Sequence, residues 1–219
     1  MSANLRFPRG LYGVTPEWED TDRLLDAIAQ AAAGGMVALQ WRRKAIADDN
    51  RLAQARRVMQ RCRELNIIGI INDDWRLASM VDADGVHLGI DDGTVQAARQ
   101  ALGTDKIIGV SCYNDLPRAR SMLTAGADYI AFGSIYPSTV KPDAVRADLD
   151  LLTQAKSLAV EYAPHGQRAA VVAIGGINAD NLAAVVNAGA DSAALISGLF
   201  DAENIQARAH DCQQLFVAQ

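Results

Sequence analysis

A polar stretch at residues 40–44 places three side chains that could bind an anion on one side of the chain. The stretch reads Gln40-Trp41-Arg42-Arg43-Lys44 and follows an apolar run that predicts a strand. Alternate residues of an extended strand point to the same side. Gln40, Arg42 and Lys44 therefore share one face. Two cations and an amide on one face favour a bound anion, although a charged loop in solvent would have the same composition.

Carboxylates follow the next two predicted strands. Asn72 and Asp73 come directly after the third strand, and Asp92 follows the fourth after a short turn. Mg²⁺ takes few protein ligands and keeps its other positions for water and phosphate oxygens, so Asp73 and Asp92 suit this ion. Helix capping is the alternative, because Asp73 or Asp74 could cap the following helix and Asp91 or Asp92 the one after it.

Glycine-containing turns follow the last two predicted strands. Gly175 and Gly176 come after the seventh strand, and Ile196, Ser197 and Gly198 occupy the same place after the eighth. Backbone N–H groups at such turns and at helix N-termini bind phosphate, and these two loops hold phosphate in many α/β barrels. The turns therefore predict a second anion site, although glycine could simply permit a tight connection.

The histidines and cysteines indicate no nucleophilic catalysis. His87 lies inside a predicted strand, where a hydrogen-bonded core histidine is the favoured interpretation over a catalytic base. Cys112 is interpreted as a small buried hydrophobic residue. A Ser-His-Asp or Cys-His mechanism is therefore unsupported.

These residues are positioned by an alternation of strand and helix signals that predicts an α/β fold, a single (β/α)8 TIM barrel domain over residues 1–219. The continuously apolar strands suit a parallel sheet that is covered on both faces. The predicted strands are 10–15, 36–41, 67–71, 85–88, 107–111, 129–133, 170–174 and 192–196. The predicted helices are 21–33, 48–65, 75–81, 93–102, 116–125, 149–160, 178–188 and 204–216.

A weak internal repeat marks three of the turns from a helix into a strand. Residues 82–85, 125–128 and 188–191 each combine aspartate, alanine and glycine. Glycine ends a helix at little cost because it adopts positive φ. We interpret all three segments as structural turns.

Composition limits the classes of function. The net charge is −5 with 21% charged residues, so no basic excess favours nucleic acid. No apolar run approaches the ~18 residues of a membrane span, which argues against a membrane protein. Three cysteines without metal-ligand spacing suggest a reducing cytoplasm, so we expect a cytoplasmic protein. The sequence leaves a homo-oligomer open.

The same clusters give the chain a resemblance to the thiamine-phosphate synthase family, from residue 11 to residue 197. The resemblance rests on several phrases that occur in the family's order. They are Gln40-Trp41-Arg42-Arg43-Lys44, Ile70-Ile71-Asn72-Asp73, Gly85-Val86-His87-Leu88-Gly89, Ile108-Gly109-Val110-Ser111, Tyr129-Ile130-Ala131-Phe132-Gly133, Lys141 and Ala173-Ile174-Gly175-Gly176-Ile177.

The resemblance implies an enzyme that joins a hydroxymethylpyrimidine diphosphate to a thiazole phosphate and releases pyrophosphate. By match, the pyrimidine diphosphate would be held by Gln40, Arg42, Lys44, Asn72 and Lys141, with Ser111 nearby. The Mg²⁺ ligands would be Asp73 and Asp92. The thiazole phosphate would be received by Ser138, Thr139, Val140, Gly176, Ile196 and Ser197. The catalytic candidates are Arg42, Lys44, Lys141 and Ser111, and the substrate-binding candidates also include Trp41 and Arg43.

This reaction needs no general base, because the attacking thiazole nitrogen carries no proton, which agrees with the missing histidine or cysteine constellation. Two alternatives remain open. One is a thiazole tautomerase of the same fold, which lacks part of the diphosphate site. The other is a barrel that binds a phosphorylated ligand without catalysis.

Overall fold

The computed structural model describes residues 4–44, 48–137, 145–163 and 166–218, with the backbone alone at 48 and 49. The strands are β1 (Asn4–Leu5), β2 (Gly10–Val14), β3 (Ala38–Trp41), β4 (Ile68–Asn72), β5 (Gly85–Leu88), β6 (Ile107–Tyr113), β7 (Tyr129–Phe132), β8 (Gln167–Arg168), β9 (Ala170–Ile174) and β10 (Ser192–Leu195). The helices are α1 (Thr21–Ala33), α2 (Asp48–Glu64), α3 (Trp75–Met80), α4 (Val95–Leu102), α5 (Leu116–Thr124), α6 (Leu149–Glu161), α7 (Leu182–Asn187), α8 (Ser197–Phe200) and α9 (Ile205–Val217).

Eight of the strands close into a parallel barrel in the order β10-β2-β3-β4-β5-β6-β7-β9. These are the eight strands that the sequence predicts, and β5 and β9 begin and end at the predicted residues. The predicted (β/α)8 fold is therefore confirmed. Because all strands run the same way, their carboxyl ends gather at one end of the barrel.

A small sheet that the sequence does not predict closes the opposite end. β1 pairs in parallel with β8, and between β1 and the barrel the fully buried Phe7 packs on two tyrosines. The ring centroid of Phe7 lies 4.9 Å from that of Tyr12 and 4.3 Å from that of Tyr129. Strands of two residues show no periodicity, so the sequence could not predict β1 and β8. We name Phe7, together with this small sheet, the plug.

Inside the barrel, a few aromatic rings lie among small side chains. Tyr12 and Tyr129 share the interior with the alanines at positions 38, 131, 170 and 194. A methyl group on Gly109 would lie only 1.8 Å from the Tyr129 ring, so glycine at this position makes room for that ring. The interior therefore places two phenol hydroxyls near the barrel axis.

The helices cover the outside of the barrel, and most begin where predicted. In α1, Asp20 caps the first turn through the backbone N–H of Arg23. α4 and α9 begin two residues and one residue later than predicted, and the largest difference is in α7, which begins at Leu182 instead of residue 178. There the Asn178 side chain accepts from the backbone N–H groups of Asp180 and Asn181 and forms a separate turn before the helix.

The three repeated turns are structural, as expected. In each, an aspartate carboxylate accepts a hydrogen bond from the backbone N–H of the second residue of a neighbouring strand. The pairs are Asp84 with Gly69 (2.7 Å), Asp128 with Ile108 (2.8 Å) and Asp191 with Val171 (2.9 Å). Gly126 and Gly189 adopt positive φ two residues earlier, and Asp82 takes the same left-handed conformation in the first turn. An aspartate thus replaces the glycine of the other two turns.

Cys62, Cys112 and Cys212 are free and buried, which agrees with the interpretation of Cys112 as a hydrophobic residue. Burial raises the pKa of the Cys112 thiol to about 12. Within the described ranges, no helix has both the length and the apolar character needed to cross a membrane.

Candidate active site

A cavity of about 710 Å³ opens at the carboxyl ends of the barrel strands. It brings together most of the candidate residues from distant parts of the sequence. The candidates in its lining are Gln40, Arg42, Lys44, Asn72, Asp73, Asp92, Ser111, Gly176, Ile196 and Ser197. The parallel barrel gathers them, because they lie in the last part of, or just after, six different strands whose carboxyl ends meet at this end of the barrel.

Trp41 and Arg43 do not reach this pocket, and their inclusion among the substrate-binding candidates is corrected. Strand alternation turns both outward. Trp41 is buried and donates through Nε1 to Gln54 Oε1 at 3.2 Å. Arg43 is also buried and donates to the backbone oxygen of Trp18.

Four candidates, Ser138, Thr139, Val140 and Lys141, lie outside the described residues. The flanks of that segment do reach the site. Ser134 and Val145 both line the pocket, and the Ser134 N–H donates to the Val145 oxygen at 2.8 Å.

The loop after β2 braces the cationic stretch. Thr15 Oγ1 accepts from the Arg42 N–H at 2.9 Å and lies 3.1 Å from the Arg42 oxygen, to which it can donate. One oxygen of Glu17 lies 3.3 Å from Arg42 Nη1, and the other lies 3.5 Å from Arg43 Nε. Glu17 also accepts from the Lys44 N–H at 3.2 Å. We name Thr15, Glu17 and Trp18 the β2 brace, because they fix the backbone and head groups that follow β3.

Asp73 and Asp92 form a carboxylate pair, and neither caps a helix in the described structure. Asp74 caps α3 and Thr94 caps α4. Asp92 Oδ2 instead accepts from the Gly89 N–H at 2.7 Å, and Lys44 Nζ lies 3.9 Å from Asp73 Oδ2. Asp74 and Thr94 are therefore the helix caps, and the carboxylates of Asp73 and Asp92 are not used for capping.

The electrostatics of the pair suit a cation. Burial, together with the hydrogen bond and negative charge of Asp92, raises the pKa of Asp73 above its ordinary value, and Lys44 opposes this only in part. Two carboxylates this close repel each other unless a proton or a cation lies between them. Within the described ranges, no group of three or more His, Cys, Asp or Glu residues forms a metal cluster, so a metal here would have few protein ligands.

The two glycine turns lie against each other and against the segment after β7. Gly175 and Gly176 have φ of 101° and 62°, in the region that favours glycine. A methyl group on Gly176 would lie 2.3 Å from the Pro137 oxygen, and one on Gly198 would lie 2.3 Å from the Ile177 oxygen. Close backbone packing thus requires these glycines. α8 begins at Ser197, so its first N–H groups, which have no partners within a helix, lie beside the pocket.

A chain of hydrogen bonds crosses the pocket floor. Gln40 Nε2 donates to Tyr12 Oη at 2.9 Å, and the Tyr12 and Tyr129 hydroxyls lie 3.0 Å apart. His87 connects Tyr129 to Ser111, with 2.9 Å from Nδ1 to Tyr129 Oη and 2.8 Å from Nε2 to Ser111 Oγ. His87 is thus the hydrogen-bonded core histidine that was expected, but it also reaches the pocket.

Sequence reasoning missed several residues of the site. Tyr12 could have been found, because alternation along β2 points it to the same interior as Gln40 on β3. Tyr113, which also lines the pocket, could not, because a register shift in β6 redirects it. Glu17 could not have been predicted either, because no sequence pattern other than its position after a strand points to its contacts with Arg42 and Lys44.

The closed parallel barrel, with cations, carboxylates and glycine turns around one pocket at the carboxyl ends of its strands, defines an α/β-barrel protein. A family described as thiamine monophosphate synthase matches residues 11–199. The chain therefore belongs to the thiamine monophosphate synthase family and is a transferase.

Individual relatives agree with this assignment. The thiamine-phosphate synthase of Bordetella pertussis (strain Tohama I) is 55% identical over 212 residues, 97% of each chain. That of Methylobacillus flagellatus is 49% identical over 208 residues, 95% of each chain. Among solved structures, the thiamine phosphate pyrophosphorylase from Pyrococcus furiosus superposes with a TM-score of 0.82 at 30% identity, covering 98% of both chains.

Proposed function

We propose that the protein condenses a hydroxymethylpyrimidine diphosphate with a thiazole phosphate, giving thiamine phosphate and pyrophosphate. The observation that carries the proposal is that one pocket holds a cationic cluster and a carboxylate pair on one side and two glycine turns on the other. β4 and β9 lie opposite each other in the barrel order, so the two halves of the site face each other. Two anionic substrates could therefore bind together.

Arg42 and Lys44 would hold the diphosphate, with the β2 brace fixing their backbone. Both cations would meet negative charge that grows on the leaving pyrophosphate, which is where electrostatic stabilisation accelerates a reaction. Asn72 and Ser111 complete this half of the pocket. The assignment of Lys141 to the same role rests on the family resemblance alone.

Asp73 and Asp92 would hold Mg²⁺. The donor set fits, because a close carboxylate pair raises the pKa of Asp73 and hard oxygen ligands suit this ion. When bound, Mg²⁺ neutralises charge on the diphosphate.

The thiazole phosphate would bind at the opposite side, against the backbone N–H groups near Gly176, Ile196 and Ser197. Ser138, Thr139 and Val140 are proposed for the same subsite by resemblance.

The bond between the pyrimidine methylene carbon and oxygen breaks, pyrophosphate takes the electron pair, and the thiazole nitrogen bonds to that carbon. No proton moves to a protein base, so the chain's work is positioning and electrostatics. The unpaired cysteines support a cytoplasmic location.

A pyrophosphate-release assay tests the proposal. Purified protein is supplied with each substrate alone and with both, with and without Mg²⁺. Release is expected only when both substrates and Mg²⁺ are present. Binding of one phosphorylated ligand without release would indicate a non-catalytic barrel, and isomerisation of the thiazole phosphate alone would indicate a tautomerase. Either result would overturn the proposal.

A further inference from the structure

Two buried tyrosines at the centre of the floor chain, Tyr12 and Tyr129, belong to none of the subsites described above. Both are almost completely buried. Burial raises the pKa of each phenol above its ordinary value, so both keep their protons at neutral pH. Each hydroxyl therefore has one proton to donate and oxygen lone pairs to accept with.

The Gln40 end determines which group donates and which accepts in each hydrogen bond of the pocket floor. The amide N–H of Gln40 can only donate, so Tyr12 Oη is the acceptor of that bond. If the Tyr12 proton then goes to Tyr129, the Tyr129 proton goes to His87 Nδ1. His87 carries its proton on Nε2 and donates to Ser111, whose own proton is left for the pocket.

The reverse direction leaves a buried group unsatisfied. If Tyr129 donated to Tyr12, the Tyr12 oxygen would accept twice and its proton would need another acceptor. Among the described residues, Gln40 and Tyr129 are the hydrogen-bond partners of the Tyr12 hydroxyl. A buried hydroxyl without an acceptor costs considerable free energy, which selects the direction from Gln40 to Ser111.

We infer that Tyr12 and Tyr129 are positioning residues that fix the hydrogen-bond polarity of the pocket floor. Gln40 uses its N–H on Tyr12 and offers its carbonyl oxygen to the pocket, whereas Ser111 offers its hydroxyl proton. The inference rests on the proposed function and specifies its substrate: a ring with an amino group toward Gln40 and a nitrogen lone pair toward Ser111. An oxo ring presents the opposite pattern.

Loss of the Tyr129 hydroxyl would free both ends of the chain. The Tyr12 hydroxyl could turn to the Gln40 oxygen, and the Gln40 NH₂ would then face the pocket. His87 would lose its donor at Nδ1 and could carry its proton there, so that Ser111 would donate to Nε2 and present an acceptor. The floor of such a variant fits either ring polarity.

The test compares the aminopyrimidine diphosphate with its analogue that carries an oxo group in place of the amino group. For wild type, Tyr129→Phe and Tyr12→Phe, kcat/KM is measured for both compounds at saturating thiazole phosphate. We expect both variants to lower the amino-to-oxo ratio by at least about tenfold, the value of one mismatched buried hydrogen bond. The KM for thiazole phosphate should stay unchanged.

Tyr162→Phe is the matched control, because its hydroxyl contacts Arg120 at the surface, and its ratio should equal that of wild type. Tyr12→Phe removes the hydroxyl that accepts from Gln40, and this variant is used for the test if Tyr129→Phe does not fold. A wild-type ratio in the folded variants, or an equal loss with both compounds, would overturn the inference. Failure of wild type to turn over the amino substrate would instead count against the proposed function.

Discussion

At the scale of single residues, Asp73 combines an unusual backbone with an unusual charge environment. Its φ is 67°, a left-handed conformation that few residues other than glycine adopt, and its N–H donates to the His87 oxygen at 2.7 Å. Strained conformations of this kind cluster at functional sites. The neighbouring Asp74 caps α3, whereas Asp73 lines the pocket.

Asparagine substitution separates these roles. Asp73→Asn and Asp92→Asn should raise the Mg²⁺ concentration for half-maximal pyrophosphate release, because the amide keeps the size of the ligand but loses its charge. A Mg²⁺ titration of each variant measures the shift.

Asp74→Asn and Asp91→Asn are the matched controls. Asparagine caps helices about as well as aspartate, so Asp74→Asn should leave the metal requirement near that of wild type. An unchanged Mg²⁺ dependence in both Asp73→Asn and Asp92→Asn would remove the carboxylate pair from metal binding.

At the scale of elements, the ends of a helix are predicted best from the sequence where its apolar periodicity and its capping residue agree. α1 begins and ends at the predicted residues, because its apolar positions and Asp20 cap agree. The start of α7 was wrong by four residues, because the Asn178 side chain competes for the backbone N–H groups that a helix would use. The redirection of Tyr113 by the shift in β6 depends on pairing between strands, which no local pattern records.

The β2 brace is an element-scale device whose removal should affect one substrate. Glu17→Ala removes the oxygens that contact Arg42, Arg43 and the Lys44 N–H. We expect the KM for the pyrimidine diphosphate to rise roughly tenfold or more, since misplaced binding groups lose much of their effect. The KM for thiazole phosphate should change little. Glu19→Ala, exposed in the same loop, is the control, and equal changes in both KM values would contradict a local brace.

The glycine turn after β9 should show the opposite preference. Gly176→Ala adds a methyl group against the Pro137 oxygen and strains a φ of 62°, so the thiazole-phosphate KM should rise more than that of the pyrimidine diphosphate. Gly126→Ala is matched for strain, because its φ is 89° but no atom lies within 4 Å of the added methyl. Similar kinetics in the two variants would show that strain alone, and no phosphate subsite, explains the effect.

At the scale of the whole molecule, the barrel is tied together at its amino-terminal end by buried charge. Arg168 reaches both oxygens of Asp191 at 2.6 and 2.7 Å, and Lys156 pairs with the same carboxylate. Burial alone would raise the pKa of Asp191, but the hydrogen bonds from Arg168, Lys156 and the Val171 N–H hold it below its ordinary value. The repeated turn at residues 188–191 thus stabilises the fold through the ion pairs of Asp191, and it lies away from the pocket.

Asp191→Asn should lower the free energy of unfolding by about 3 kcal/mol, because it leaves the buried Arg168 without its counter-charge. Urea unfolding at several pH values measures this. The wild-type carboxylate has a lowered pKa, so its advantage is present above the unfolded value of about 3.9 and disappears as the pH falls through the folded pKa. Asp82→Asn, at an exposed pair with Lys106, is the control and should change stability little. A deficit independent of pH would contradict the charge explanation.

The plug formed by Phe7 makes the barrel a well with its mouth at the carboxyl ends of the strands. A ring resting on the floor beside Tyr12 and Tyr129 is then covered by whatever binds nearer the rim. Loading should therefore be sequential, with the pyrimidine diphosphate entering first. An unreactive thiazole-phosphate analogue should inhibit uncompetitively against the pyrimidine diphosphate in steady-state kinetics. Competitive or mixed inhibition would mean that the second substrate can occupy the well before the first.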